Sequence, residues 1–151
     1  MSLASWSKAS SSTTSALHRL ESLPPVKHGV TPPSPLVVGD KDRYHEACVR
    51  AGYPGHLAPE IKDAPIQSVP LTGVRTIQRS VNPERVLQYL RDPSTKPVAR
   101  NGHNGPVDVP IVVQAGGVRW LHDGHHRCAA AILRGEPSVR ARFVDLDKRA
   151  A

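Results

Sequence analysis

The chain has 151 residues, enough for one domain around a single hydrophobic core, and no apolar run approaches the roughly 20 residues that span a bilayer, which argues against a membrane-spanning protein. Hydrophobic residues make up 38% and aromatics 4%, with fifteen Pro and eleven Gly, so part of the chain is expected to lie outside packed structure. The net charge of +7 and an isoelectric point of about 9.9 favour polyanionic partners, either nucleic acid or the phosphates of a small ligand.

Residues 1–40 read as a disordered arm. Ser10 to Ser15 is a Ser/Thr tract, and Leu23-Pro24-Pro25 and Thr31-Pro32-Pro33-Ser34-Pro35 are extended and Pro-rich. Such a composition buries too little apolar surface to offset chain entropy, so the arm is expected to be disordered by itself and able to order on a protein partner or across a symmetry mate. It lacks an apolar h-region and is not a secretory signal. Residues 41–60 read as a linking helix and loop. Tyr44, Ala47, Cys48 and Ala51 share a helical face, and Gly52-Tyr53-Pro54-Gly55 ends it.

The folded domain is expected over 61–151. Ile66 to Leu71 alternates as a short strand, and Arg75 to Arg79 reads as a loop or short turn. Asn82-Pro83-Glu84 starts a helix: Asn as N-cap, Pro at the first position, Glu in the first turn. That helix carries Val86, Leu87, Tyr89 and Leu90 and stops before Asp92-Pro93. Lys96 to Asp108 is a loop. Two strands then flank the Gly116-Gly117 turn, and a helix runs from about His125 to Arg134 with Gly135 as its stop signal. The last strand, Ser138 to Leu146, alternates Val139, Ala141 and Phe143 with Arg140 and Arg142, so one face is buried and the other basic. The two cysteines, Cys48 and Cys128, indicate no disulfide framework, which fits a reducing cytoplasm, and Cys128 falls on the apolar stripe of its helix.

The chemistry concentrates at Asp123-Gly124-His125-His126-Arg127, where the second strand meets the helix. A strand-to-helix junction presents backbone N–H groups at the positive end of the helix dipole and is a ready anion site. Gly124 provides the sharp turn and lets a ligand approach the backbone closely. The N–H groups of His126 and Arg127 would face a phosphate, and the Arg127 guanidinium would add a forked contact. Asp123 has two readings: a cap or turn-former, or a carboxylate that binds Mg²⁺ beside a nucleotide or acts as a base. His125 and His126 lie about 100° apart on the helix and do not readily share a metal. A zinc site built from His122, Asp123, His125 and His103 would need three or four ligands at a spacing the sequence does not supply.

The pattern of apolar strand, hairpin, second strand, Asp123-Gly124-His125-His126-Arg127 and an Ala-rich helix resembles the ParB/sulfiredoxin superfamily. Many ParB-like proteins described as nucleases carry Asp-Gly-His-His-Arg. The resemblance covers about half the chain, reaching Leu146, with a looser match upstream over Ile66 to Leu90. It implies an α/β (α+β mixed) fold, a small domain with a mixed sheet and flanking helices. It implies a nucleoside triphosphate, CTP or ATP, with Mg²⁺ at Asp123. In sulfiredoxins the catalytic Cys stands where this chain has His125, so sulfinic-acid repair is not expected. A His at that position would serve as proton donor or acceptor, making Asp123 and His125 the candidate catalytic pair. Gln78-Arg79 matches part of the ParB nucleotide box without its Pro, which makes Arg79 a second phosphate ligand.

The implied function is a nucleotide- or phosphate-binding domain acting on DNA, as a small metal-dependent nuclease or a nucleotide-hydrolysing DNA-binding protein. Arg140 and Arg142 would contact DNA phosphates. The alternatives are a small-molecule phosphotransferase similar to a free-serine kinase, with Glu60, Glu84 or Asp123 as base, and a non-catalytic interaction module of a phage or mobile element.

Overall fold

The computed structural model describes residues 11–95 and 109–150. The elements in order are α1 (Ser11–Glu21), β1 (Pro25–Val26), β2 (Gly29–Val30), β3 (Val37–Val38), α2 (Lys41–Arg50), α3 (Ala58–Asp63), β4 (Ile66–Pro70), β5 (Arg75–Thr76), α4 (Pro83–Arg91), β6 (Ile111–Ala115), β7 (Val118–Asp123), α5 (His125–Leu133), β8 (Ser138–Asp145) and α6 (Leu146–Ala150). The fold is mixed α/β, as the pattern of elements requires.

Six strands form one sheet in the order β3-β5-β7-β6-β8-β4, and β1-β2 form a small separate hairpin. Strands β3, β5 and β7 are mutually parallel neighbours; β6 and β7 form the antiparallel hairpin around Gly116-Gly117; β6 and β8 are parallel; and β4 runs antiparallel to β8 at the edge. The central strand β6 is buried on both faces, which its run Ile111-Val112-Val113 anticipates. Edge strand β4 is mostly exposed and ends in Pro70, a residue that only an edge tolerates.

On one face, Leu121, Val112, Val69 and Ala141 pack with Cys128 and Ile132 of α5. The far side of α5, Ala129, Ala130 and Leu133, meets Ala16, Leu17 and Leu20 of α1 and Val86, Leu87, Tyr89 and Leu90 of α4. On the other face Tyr44 and Cys48 of α2 join Val113, Trp120, Val144 and Leu146. Two helices have side-chain caps, the expected one at Asn82 and a second at Asp40. The Asn82 side chain accepts the N–H groups of Glu84 and Arg85, and the Asp40 side chain accepts those of Asp42 and Arg43. Helix α5 ends in a Schellman arrangement, with Gly135 at φ 87 and the Glu136 N–H on the Ala131 carbonyl.

Two expectations need correction. Of the expected arm, residues 11–40 belong to the fold and 1–10 lie outside the described residues. Ala16 and Leu17 are wholly buried, β3 completes the sheet edge, and β2 is tied to the α4 entry by the Val30–Val81 bridge. The domain therefore starts well before residue 61. Arg75–Thr76 is strand rather than loop, bonded between β3 and β7. Two residues are too few for an alternating pattern, so only the neighbours reveal the strand. The loop expected over 96–108, with His103, lies outside the described residues. No helix among the described residues is long and apolar enough to cross a membrane.

Candidate functional site at the junction of β7 and α5

Gly124 separates β7 from α5 at φ 92, ψ 26, in the left-handed region. A Cβ there would stand 2.8 Å from Pro110 Cβ and 2.9 Å from Pro110 Cα, so both conformation and space demand glycine. Gly124 is itself the N-cap and brings no side chain to the first turn, while its carbonyl accepts the Cys128 N–H at 2.9 Å. Asp123 is a turn-former rather than the cap: its Oδ1 accepts the Gly124 N–H at 2.7 Å. The strand-to-helix turn expected from the motif is therefore present, with Asp123 bracing it.

The two histidines act as fasteners. His125 is 2% exposed, and its Nε2 accepts the Ile77 N–H at 3.3 Å. His126 Nε2 accepts the Asn82 N–H at 3.1 Å. Accepting at Nε2 puts the proton of each neutral ring on Nδ1. Together they hold the segment from Ile77 to Asn82, which follows β5 and contains Gln78 and Arg79, against the start of α5. Thr76 shapes the same segment. Its hydroxyl donates to the Gln78 carbonyl at 2.6 Å and accepts the Gly39 N–H at 3.4 Å. The segment that contains Gln78 and Arg79 is thus joined to the start of α5 by hydrogen bonds from its backbone N–H groups to the two histidine side chains.

Other candidates fall elsewhere. The Arg79 side chain is 79% exposed and pairs with Asp40 at 3.2 Å. Asp40 is held below the usual carboxylate range, chiefly by the Asp42 and Arg43 N–H groups and then by Arg79. Arg142 does not lie free on a basic face: its Nη1 donates to the Ala64 carbonyl at 3.2 Å and the Lys62 carbonyl at 3.4 Å, tying β8 to the end of α3. Arg140, by contrast, is exposed. His122 shares a 2.8 Å hydrogen bond between its Nδ1 and the Tyr44 hydroxyl, and burial pushes the Tyr44 phenol far up. Among the described residues, no group of three or more His, Cys, Asp or Glu gathers as a metal cage. Mg²⁺ asks for less, one or two carboxylates plus substrate phosphates, and the Asp123 carboxylate is engaged through Oδ1 with the Gly124 N–H. Cys128 is wholly buried, and desolvation pushes its thiol up to about 12, so it is an inert core residue.

Sequence reasoning missed three devices: the pairing of His125 and His126 with backbone N–H groups, the anchoring role of Arg142, and Asp147. Both carboxylate oxygens of Asp147 accept from the turn between β6 and β7, from the Gly116 N–H at 2.7 Å and the Gly117 N–H at 2.8 Å. Each joins positions at least thirty residues apart, which no local pattern signals. No protein-family profile matches the chain, and neither a curated protein nor a solved structure matches it.

Proposed function

We propose that this is a ParB-like phosphate-binding domain that takes a nucleoside triphosphate, CTP or ATP, at the junction of β7 and α5 and acts on DNA. The observation that carries the reading is the fastening of the Gln78-Arg79 segment to the motif helix by His125 and His126, beside the left-handed Gly124 turn. Gly124 makes the sharp turn that starts α5 against Pro110, the positive end of the α5 dipole favours a ligand's negative charge, and Arg127 supplies a planar guanidinium in the first turn. Asp123 would hold the Mg²⁺ that accompanies the phosphates; bound there, the metal supplies charge neutralisation.

A nucleotide-binding or nucleotide-hydrolysing role is favoured over a nuclease role. Proton transfer by His125 would require a ring that reaches substrate, whereas His125 is buried and its Nε2 is engaged by Ile77. The test is calorimetry and thermal shift with CTP, ATP and ADP, with and without Mg²⁺. One nucleotide is expected to raise the melting temperature. Arg127→Ala is expected to weaken its binding by about 1.5–3 kcal/mol, the scale of a charged hydrogen bond. Equal affinity of wild type and variant would remove the site.

A further inference from the structure

Arginines expected to serve two different ligands line one cleft. Arg127 comes from α5, Arg134 is the C-cap of that helix and Arg140 comes from β8, around a space of about 320 Å³ beside the first half of β8. Arg127, Ala131 and Arg134 fall on one face of α5, because seven residues make nearly two turns. The two arginines are therefore separated by about 10 Å along the helix axis. That is too far for one phosphate group to engage both, and it suits successive phosphates of a chain. Arg140 faces them from the sheet, and its side chain makes no hydrogen bond or ion pair among the described residues.

Arg134 is held in place. Its Nε and Nη2 meet Glu136 Oε2 at 2.9 and 2.8 Å, and its Nη1 donates to the Tyr89 carbonyl at 3.3 Å. A guanidinium has five N–H donors, so two remain for a ligand. On the β8 side, Ser68 donates its hydroxyl to Ser138 Oγ at 3.1 Å, which leaves the Ser138 proton able to turn into the cleft. Among the described residues Glu136 is the one acid of the lining. It already occupies Arg134 and opposes any incoming anion.

We infer that this cleft clamps the backbone of single-stranded DNA, without regard to sequence. The inference rests on the DNA-directed part of the proposed function and adds the form of DNA and where it binds. Cations from a helix wall and a sheet wall engage successive phosphates of one flexible strand, which bends to follow them, whereas a duplex holds its phosphates in a fixed helical array. The lining aromatic, Tyr89, is 3% exposed and offers no platform for base stacking, so contacts go to phosphates. Glu136 acts as a built-in competitor that keeps the affinity moderate.

The test uses the full chain and a labelled oligonucleotide of about twelve nucleotides, followed by anisotropy as KCl is raised. Single strand is expected to bind more tightly than a duplex of the same sequence. Arg140→Ser is expected to weaken it about five-fold and to reduce the slope against log salt by about 0.7, the value for one single-strand phosphate contact. Glu136→Gln is expected to tighten it about two- to three-fold, the scale of an exposed ion pair. Binding of duplex at least as tight as that of single strand would overturn the inference, as would indifference to both substitutions. So would equal competition by polyglutamate, which would make the cleft an acidic-peptide site. CTP calorimetry on the same proteins separates the two proposals. Absence of CTP binding alongside the expected DNA pattern sinks the nucleotide site and keeps the cleft, and the converse result does the opposite.

Discussion

Helices α1 and α5 meet in the same core, yet they are written very differently. Helix α5 has seven buried residues out of nine, and a turn and stop signal frame it. Helix α1 is Ser-Ser-Thr-Thr-Ser-Ala-Leu-His-Arg-Leu-Glu, in a Ser- and Pro-rich neighbourhood, and it buries Ala16, Leu17 and Leu20. Those three residues form a stripe at i, i+1 and i+4, as wide as one groove needs. The groove itself is made by Val86, Leu90, Ala129 and Leu133, which lie some seventy to one hundred and twenty positions away. Composition describes what a segment would do alone. Burial depends on the surface that a neighbour offers, so a polar segment with one short apolar stripe orders when that surface exists.

The sharpest way to break this comparison is Leu17→Ala. As a wholly buried core residue, Leu17 is expected to cost about 2–5 kcal/mol in a urea titration, as much as a core position on α5. A loss below about 0.5 kcal/mol, the level of an indifferent surface change, would return α1 to the status of an appended arm.

His125→Ala sharpens the account of the motif. The substitution leaves the Ile77 N–H without its acceptor and opens a cavity, so a loss of about 2–3 kcal/mol is expected, with faster amide exchange at Ile77. Unchanged stability and exchange would show that the ring does not hold the Ile77 segment and would return proton transfer to consideration.

Arg142→Ala and Arg140→Ser form a pair on one strand. Arg142 anchors two carbonyls, so its loss is expected to cost about 1 kcal/mol of stability with little change in DNA affinity, and Arg140 the reverse. Chemical denaturation and anisotropy read the two effects, and equal loss of affinity in both would restore the expected basic face.

The smallest effect concerns Asp40, the cap of α2. Its carboxyl is held below the ordinary value in the folded state, so its stabilisation is present above the unfolded value of about 3.9 and is lost as pH falls through the lowered folded value. Asp40→Ala is expected to melt slightly below wild type at neutral pH and to converge with it in acid. Parallel melting curves from pH 7 down to about 2 would remove Asp40 from the account of the acid limb.

Much of the second half of the chain was legible. The apolar run of β6, the Gly116-Gly117 turn, the Gly124 junction, α5 and its Gly135 stop are signals carried by residues within a few positions of where they act. The Asn82 cap is of the same kind. Within the site, the glycine turn was readable because a left-handed residue is a local property of the backbone.

What only the tertiary structure decided was long in sequence separation. It made Arg75–Thr76 a strand by placing β3 and β7 on either side, and it made His125, expected as a catalytic group, and His126, expected as a phosphate contact, into acceptors for Ile77 and Asn82. It made Arg142 an anchor while leaving Arg140 in a cleft with Arg127 and Arg134. A side chain's type states which bonds it is able to make. Which of those bonds it makes depends on the donors and acceptors that folding brings within about 3 Å of it, and these come from anywhere in the chain.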